Sequence, residues 1–118
     1  MLNNITLVGR MVANPDTLAY TPKGRTVCRF TIANETRKSG EKEKGVNFIE
    51  IAAFDKTAEF VHKWFKKGDP ICVVGRLMTY VVVEKDGRSR KAYEVEAAAV
   101  DFVPRAKEAP ELNEEAPF

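Results

Sequence analysis

Phe48 and Phe54 stand six residues apart in the stretch NFIEIAAF, and the residues between them alternate in character. Successive side chains of an extended chain point to opposite faces. Ile49, Ile51 and Ala53 therefore share one face, and Phe48, Glu50, Ala52 and Phe54 the other. Glu50 marks its face as the wet one, because a carboxylate is almost never fully buried without a partner. This strand turns aliphatic residues to a core and aromatic residues to solvent. The later stretch PICVVGRLMTYVVVE repeats the habit. With Ile71, Val73 and Leu77 inward, Arg76, Met78, Tyr80 and Val82 face outward, and Arg76 and Tyr80 join the Phe48/Phe54 face if the two strands are neighbours.

Planar rings interleaved with cations on an open sheet suit the unpaired bases of a single-stranded nucleic acid. Each base stacked on an aromatic ring contributes ~1–3 kcal/mol, and basic side chains neutralise phosphates and release counterions. Duplex bases are already stacked, so such a surface discriminates against duplex. The candidate cations are Arg10, Arg29, Arg37, Lys38, Lys56 and Arg76. Alternation alone leaves a second reading open, in which Phe48 and Phe54 pack under a loop or against another subunit.

Other chemistry is poorly represented. His62 is the only histidine and has no Ser or carboxylate partner at a recognisable spacing. There is no Walker loop, nucleophile elbow or acidic metal cluster, and no Cys-x-x-Cys or His pair for zinc. The expectation is a protein with no catalytic residues, metal or cofactor. Cys28 and Cys72 lie far apart in apolar runs and read as small buried hydrophobes rather than a disulfide. GRSRK, residues 87–91, reads as a solvated hairpin tip.

The elements that must hold these residues are mostly strands. NITLVGRMV, TVCRFTIAN, NFIEIAAF, PICVVGRLMTYVVVE and KAYEVEAAAVDFV each carry strand-like apolar patterning. AYTPKGRT is turn chemistry, with Pro22 fixing φ and Gly24 free to take a positive one. ETRKSGEKEKG is a long charged hairpin loop, and KDGR is a tight turn. Gly75 suggests a bend or bulge inside its strand. KTAEFVHKWFKK, opened by Asp55 and closed by Gly68, is the single good helix. Ala58, Val61 and Phe65 form its apolar stripe, and Phe60 and Trp64 fall at core-packing or end-plug spacing. One helix cannot cover a flat sheet of this size, whereas a curled barrel plugged by the helix removes the exposed edges. The order fits an all-β chain with one helix: an OB-fold, a five-stranded Greek-key barrel.

The 118 residues bound the chain to one domain with a modest core. No apolar run is long enough for a signal peptide or a membrane span, which gives the expectation of a cytoplasmic protein. Residues 1–104 read as the folded domain, with seventeen bases against thirteen acids. Residues 105–118 carry two bases and four acids with Pro110 and Pro117, and read as a disordered acidic tail.

Taken in order, MLNNITLVGRM, PDTLAYTPKGRTVCRFTIA, NFIEIAAFDKTAEFVHKWFKKGD, VVGRLMT, YEVEAAAVDFV and the tip EEAPF resemble the bacterial-type single-stranded DNA-binding proteins. The resemblance spans residue 1 to about 103, and the tip. It implies an OB-fold, a homotetramer wrapping single-stranded DNA without sequence preference, and stacking by Phe48, Phe54 and the strand of Tyr80. It also implies that Glu114, Glu115, Ala116, Pro117 and Phe118 form a docking peptide for replication, recombination and repair proteins. Three departures stand out. Arg37 occupies a position where many relatives have an aromatic, Val82 occupies another with Tyr80 two residues earlier, and the tip is Glu-Glu-Ala rather than aspartates with Ile. They suggest a compact variant, phage-encoded or a secondary cellular copy. The alternative reading is a primosome-type OB-fold accessory module with weak DNA binding.

Overall fold

The structure, a computed structural model, describes residues 1–36 and 45–103. Its elements are β1 (Ile5–Met11), β2 (Ala19–Tyr20), β3 (Thr26–Thr36), β4 (Gly45–Phe54), α1 (Asp55–Trp64), β5 (Pro70–Val83) and β6 (Ser89–Phe102). The strands run in the order β1-β5-β6-β4-β3-β2, and a second pairing of β1 with β3 closes the first five into a ring. That closure rests on two pairs, Arg10 with Ala33 and Met11 with Ile32. Gly9 permits it, because a Cβ there would lie 2.6 Å from the Ala33 carbonyl oxygen. The ring, with its one helix, is the barrel expected of an OB-fold. The two-residue strand β2, where the sequence suggested only a turn, adds to the outside of β3.

The barrel interior follows the alternation. Cys28, Phe30 and Ile32 of β3, Ile51 and Ala53 of β4, and Ile71 and Val73 of β5 are buried together with Val95 and Ala97 of β6. Helix α1 lays Ala58 and Val61 on this core. It stops three residues earlier than its sequence suggests. Phe65 leaves the helix in an extended conformation and is 1% exposed, its ring stacked 4.9 Å from that of Phe102. Gly68, expected as the helix stop, instead sits in the following turn at φ +89°, which Asp69 closes by accepting a hydrogen bond from the Lys66 amide. Phe60 joins the cluster edge-on to Phe65 and Phe102. Trp64 does not: it is 54% exposed, on the outside of the helix.

Strands β5 and β6 form the longest pair, and their register shifts by one residue between Val74 and Gly75. Val74 pairs with Ala99 but Gly75 pairs with Ala97, so Ala98 is the extra residue of a bulge in β6. Gly75 is needed here because a Cβ would come 2.1 Å from the Glu96 carbonyl oxygen. On one side of the bulge Val95 and Ala97 face the core; on the other, Val100 packs against it and Phe102, 54% exposed, covers the Phe65 ring from outside. The far ends of β5 and β6 run beyond the barrel as an arm. Leu77, expected inward, is 40% exposed for that reason, and Val81, Val83 and Tyr93 are more so.

Candidate nucleic-acid interface

The outward side chains of β3 and β4 meet in pairs: Val27 with Phe54, Arg29 with Ala52, Thr31 with Glu50, and Ala33 with Phe48. Phe48 is open, at 68% exposure. Ala52 is fully buried although it points the same way. It is too short to reach solvent between Arg29 on one neighbouring strand and Glu96 on the other. Phe54 is half-buried, with the buried Val27 as its cross-strand neighbour and the guanidinium of Arg25 over its ring at 4.5 Å.

Strand β6 separates β4 from β5. It pairs with β4 in parallel over only three residues, Ile51–Val95, Ala52–Glu96 and Ala53–Ala97. Arg76 and Tyr80 are therefore on the expected face but one strand further from Phe48 and Phe54. The intervening outward residues are Glu94 and Glu96, which the sequence reading missed. The alternation of YEVEA around buried Val95 was a usable signal for them. Both are partnered: Arg29 Nε donates to Glu94 at 3.2 Å, and an Arg76 Nη donates to Glu96 at 3.1 Å. Two of the candidate phosphate contacts thus sit in ion pairs before any ligand arrives.

A cleft of about 250 Å³ crosses this face. Arg29, Thr31, Glu50 and Glu94 floor it, and Tyr80, 42% exposed, forms one wall. The loop of residues 12–16 forms the opposite wall, pinned to β3 by Val12 and Asp16 amides that donate to the Thr31 and Arg29 carbonyls. Asp16, Glu50 and Glu94 outnumber Arg29 inside it. The centre of the face is therefore acidic, favourable to base amino groups and unfavourable to phosphates. A second cleft, about 390 Å³, opens where β4 and β6 diverge, between Phe48 and the Arg90–Tyr93 side.

Two of the remaining cations, Arg10 and Lys56, are among the described residues. Arg10 is exposed, one Nη donating to the Gly68 carbonyl at 3.2 Å. Lys56 is exposed in the first turn of α1. Arg37, Lys38 and the residues 114–118 lie outside the described residues. Among the described residues no group of His, Cys, Asp and Glu is arranged to hold a metal ion. Cys28 and Cys72 are free thiols. Burial, and then the charge of Asp16, push the Cys28 thiol up to about 11, so it stays protonated near neutrality.

Sequence comparison then decides the family. The profile of the Single-strand binding protein family matches residues 2–103. The chain belongs to that family. It is 38% identical over 104 residues to single-stranded DNA-binding protein 2 of Listeria innocua, covering 87% of this chain and 65% of that protein. It is likewise 38% identical over 103 residues to the single-stranded DNA-binding protein of Streptococcus pneumoniae, covering 86% and 64%. The chain thus spans slightly under two thirds of these relatives' length. Against single-stranded DNA-binding protein 1 of Clostridium acetobutylicum, the match is 36% over 109 residues, 92% of this chain and 99% of that one. In this member of the family the aromatic face and the two arginine–glutamate pairs share one sheet surface, with no helix among the described residues lying between them.

Proposed function

We propose that this protein binds single-stranded DNA without catalysis and with little sequence preference, coating it during replication, recombination and repair. One observation carries the reading. Phe48, Tyr80, Arg76 and the Arg25-capped Phe54 lie on one solvent-facing sheet surface, although a core was available to the aromatics. Phe48 and Tyr80 stack bases, with Phe54 part of the same surface. Arg10, Arg37, Lys56 and Arg76 meet phosphates. The acidic cleft turns the sugar-phosphate path to the rim and the bases inward. No helix among the described residues is long and apolar enough to cross a membrane; the cytoplasm is part of the same proposal.

The same reading includes self-association, as a homotetramer. Met1, Leu2, Val8 and Val12 leave apolar surface exposed along β1, which a second copy would cover. It also includes recruitment of other DNA-processing proteins by Glu114, Glu115, Ala116, Pro117 and Phe118, in which Phe118 is the apolar anchor and the glutamates steer the encounter. Titration of labelled oligo-dT and of a duplex of equal length, with light-scattering masses of free and bound protein, tests the proposal. Tight oligo-dT binding, weak duplex binding and a multiple of the 13.2 kDa chain mass are expected. Equal affinity for the two DNAs overturns the stacking surface, and a negligible affinity for both leaves the accessory-module reading.

A further inference from the structure

Resting on that reading, we propose that the stacking platform at Phe54 is the guanidinium of Arg25, backed by the ring, and that a base of the bound strand lies on its outer face. Arg25 comes from the turn before β3, far in sequence from the aromatic face, and it is held there closely. Its amide donates to Thr21 Oγ1 at 3.0 Å, its carbonyl accepts from the Thr21 amide at 2.8 Å, and Gly24 closes the same turn with its amide on the Thr21 carbonyl. Gly24 is left-handed, at φ +85°.

The side chain is fixed twice more. Its Cζ lies 4.5 Å above the Phe54 ring centre. Nε and an Nη both donate to Asp55 Oδ2, at 3.2 and 3.0 Å. Asp55 reaches that position from a left-handed backbone, φ +55°, the one described non-glycine residue with a positive φ. Such a conformation is unfavourable for most side chains, although Asp tolerates it better than most. The group so held is still open, with the Arg25 and Asp55 side chains 51% and 56% exposed.

The arrangement leaves the guanidinium little to offer as a point charge. Asp55 neutralises it and occupies one edge, while Phe54 occupies one face. What remains is a planar, weakly hydrated outer face above an aromatic ring, and arginine planes stack on bases as aromatic rings do. A base placed there completes a three-layer stack of Phe54, Arg25 and base. A phosphate contact, by contrast, would have to compete with Asp55.

The two roles separate in a salt titration. Oligo-dT affinity of the full chain is measured between 50 and about 500 mM salt for wild type, Arg25→Ala and Arg25→Lys, with a thermal midpoint for each. If Arg25 stacks, both variants lose about 5- to 20-fold in affinity at every salt concentration, and the slope of log affinity against log salt stays that of wild type. The lysine keeps the charge but not the plane, so it does not rescue. A slope flattened by about 0.7 in Arg25→Ala with wild-type behaviour in Arg25→Lys overturns the inference in favour of a phosphate contact. Unchanged affinity in both variants overturns it outright while leaving the DNA-binding reading intact. Failure of wild type to bind oligo-dT overturns both.

Discussion

Replacing Phe48 with Ala separates surface function from fold more cleanly than any other change on the aromatic face. The ring is 68% exposed, so about a third of it is in contact with the rest of the protein. A phenylalanine buries on the order of 150–250 Å² when fully covered, which makes the covered part about 50–80 Å². At about 25 cal/mol per Å² that is at most about 1–2 kcal/mol of stability. No cavity follows, because the site opens to solvent and its cross-strand neighbour is the small Ala33. The thermal midpoint should fall by about 10 °C or less. The exposed two thirds is what a base would cover, and losing one stacked base costs ~1–3 kcal/mol. The dissociation constant for oligo-dT should therefore rise by about 5- to 150-fold. Anisotropy of a labelled oligonucleotide reads the affinity, and calorimetry the midpoint. Phe30→Ala is the control: Phe30 is 6% exposed and its truncation should cost about 3–5 kcal/mol of stability. An unchanged affinity in Phe48→Ala, or a midpoint as low as that of Phe30→Ala, refutes the assignment of Phe48 to a binding face.

Three further outcomes are expected. Arg10→Ala and Lys56→Ala should each flatten the salt dependence of DNA affinity by about 0.7, whereas Arg76→Ala, already paired with Glu96 at 3.1 Å, should flatten it by less; equal effects at all three would show that the pair opens on binding. The Cys28 thiol holds its proton more tightly folded than unfolded, with a folded value of about 11 against an ordinary 9.0. The folded state then binds more protons between those values, so urea-unfolding stability should be lost as pH rises from about 9 to about 11, and Cys28→Ala should lack that part of the decline. Deleting residues 114–118 should leave the unfolding midpoint, the oligomer mass and the oligo-dT affinity in place while abolishing capture of DNA-repair proteins, with Phe118→Ala accounting for most of the loss; a deletion that disrupts assembly shows the tip to be structural.

What was legible in the sequence was what period-two alternation determines. The inward sets of β3 and β4, the exposure of Phe48 and Tyr80, and the burial of Ala58 and Val61 on α1 all follow from residue type and spacing. What was not legible depended on partners distant along the chain. The cover over Phe54 includes Arg25, twenty-nine positions earlier in the sequence. The ion pairs at Arg29 and Arg76 depend on β6 lying between β4 and β5, and strand order is not encoded in any one strand. The early end of α1 coincides with an aromatic stack on Phe102, thirty-seven residues on from Phe65. Trp64, placed at core spacing, was left outside because the helix ends there and only Phe65 turns inward.

The bulge at Ala98 divides β6 into two segments of opposite phase, and this constrains how the chain can change length. A single residue inserted or deleted between Ala97 and Val100 would re-phase one segment against the other. Either Phe102 would turn away from Phe65 and Phe60, or Val95 and Ala97 would leave the barrel. The arm has no such frame to keep, because its turn at residues 84–88 is exposed and its two strands can gain or lose residues in matched pairs. Length variation among descendants of this chain should therefore gather at the arm tip and be excluded from the four residues around the bulge, whatever happens to their side chains.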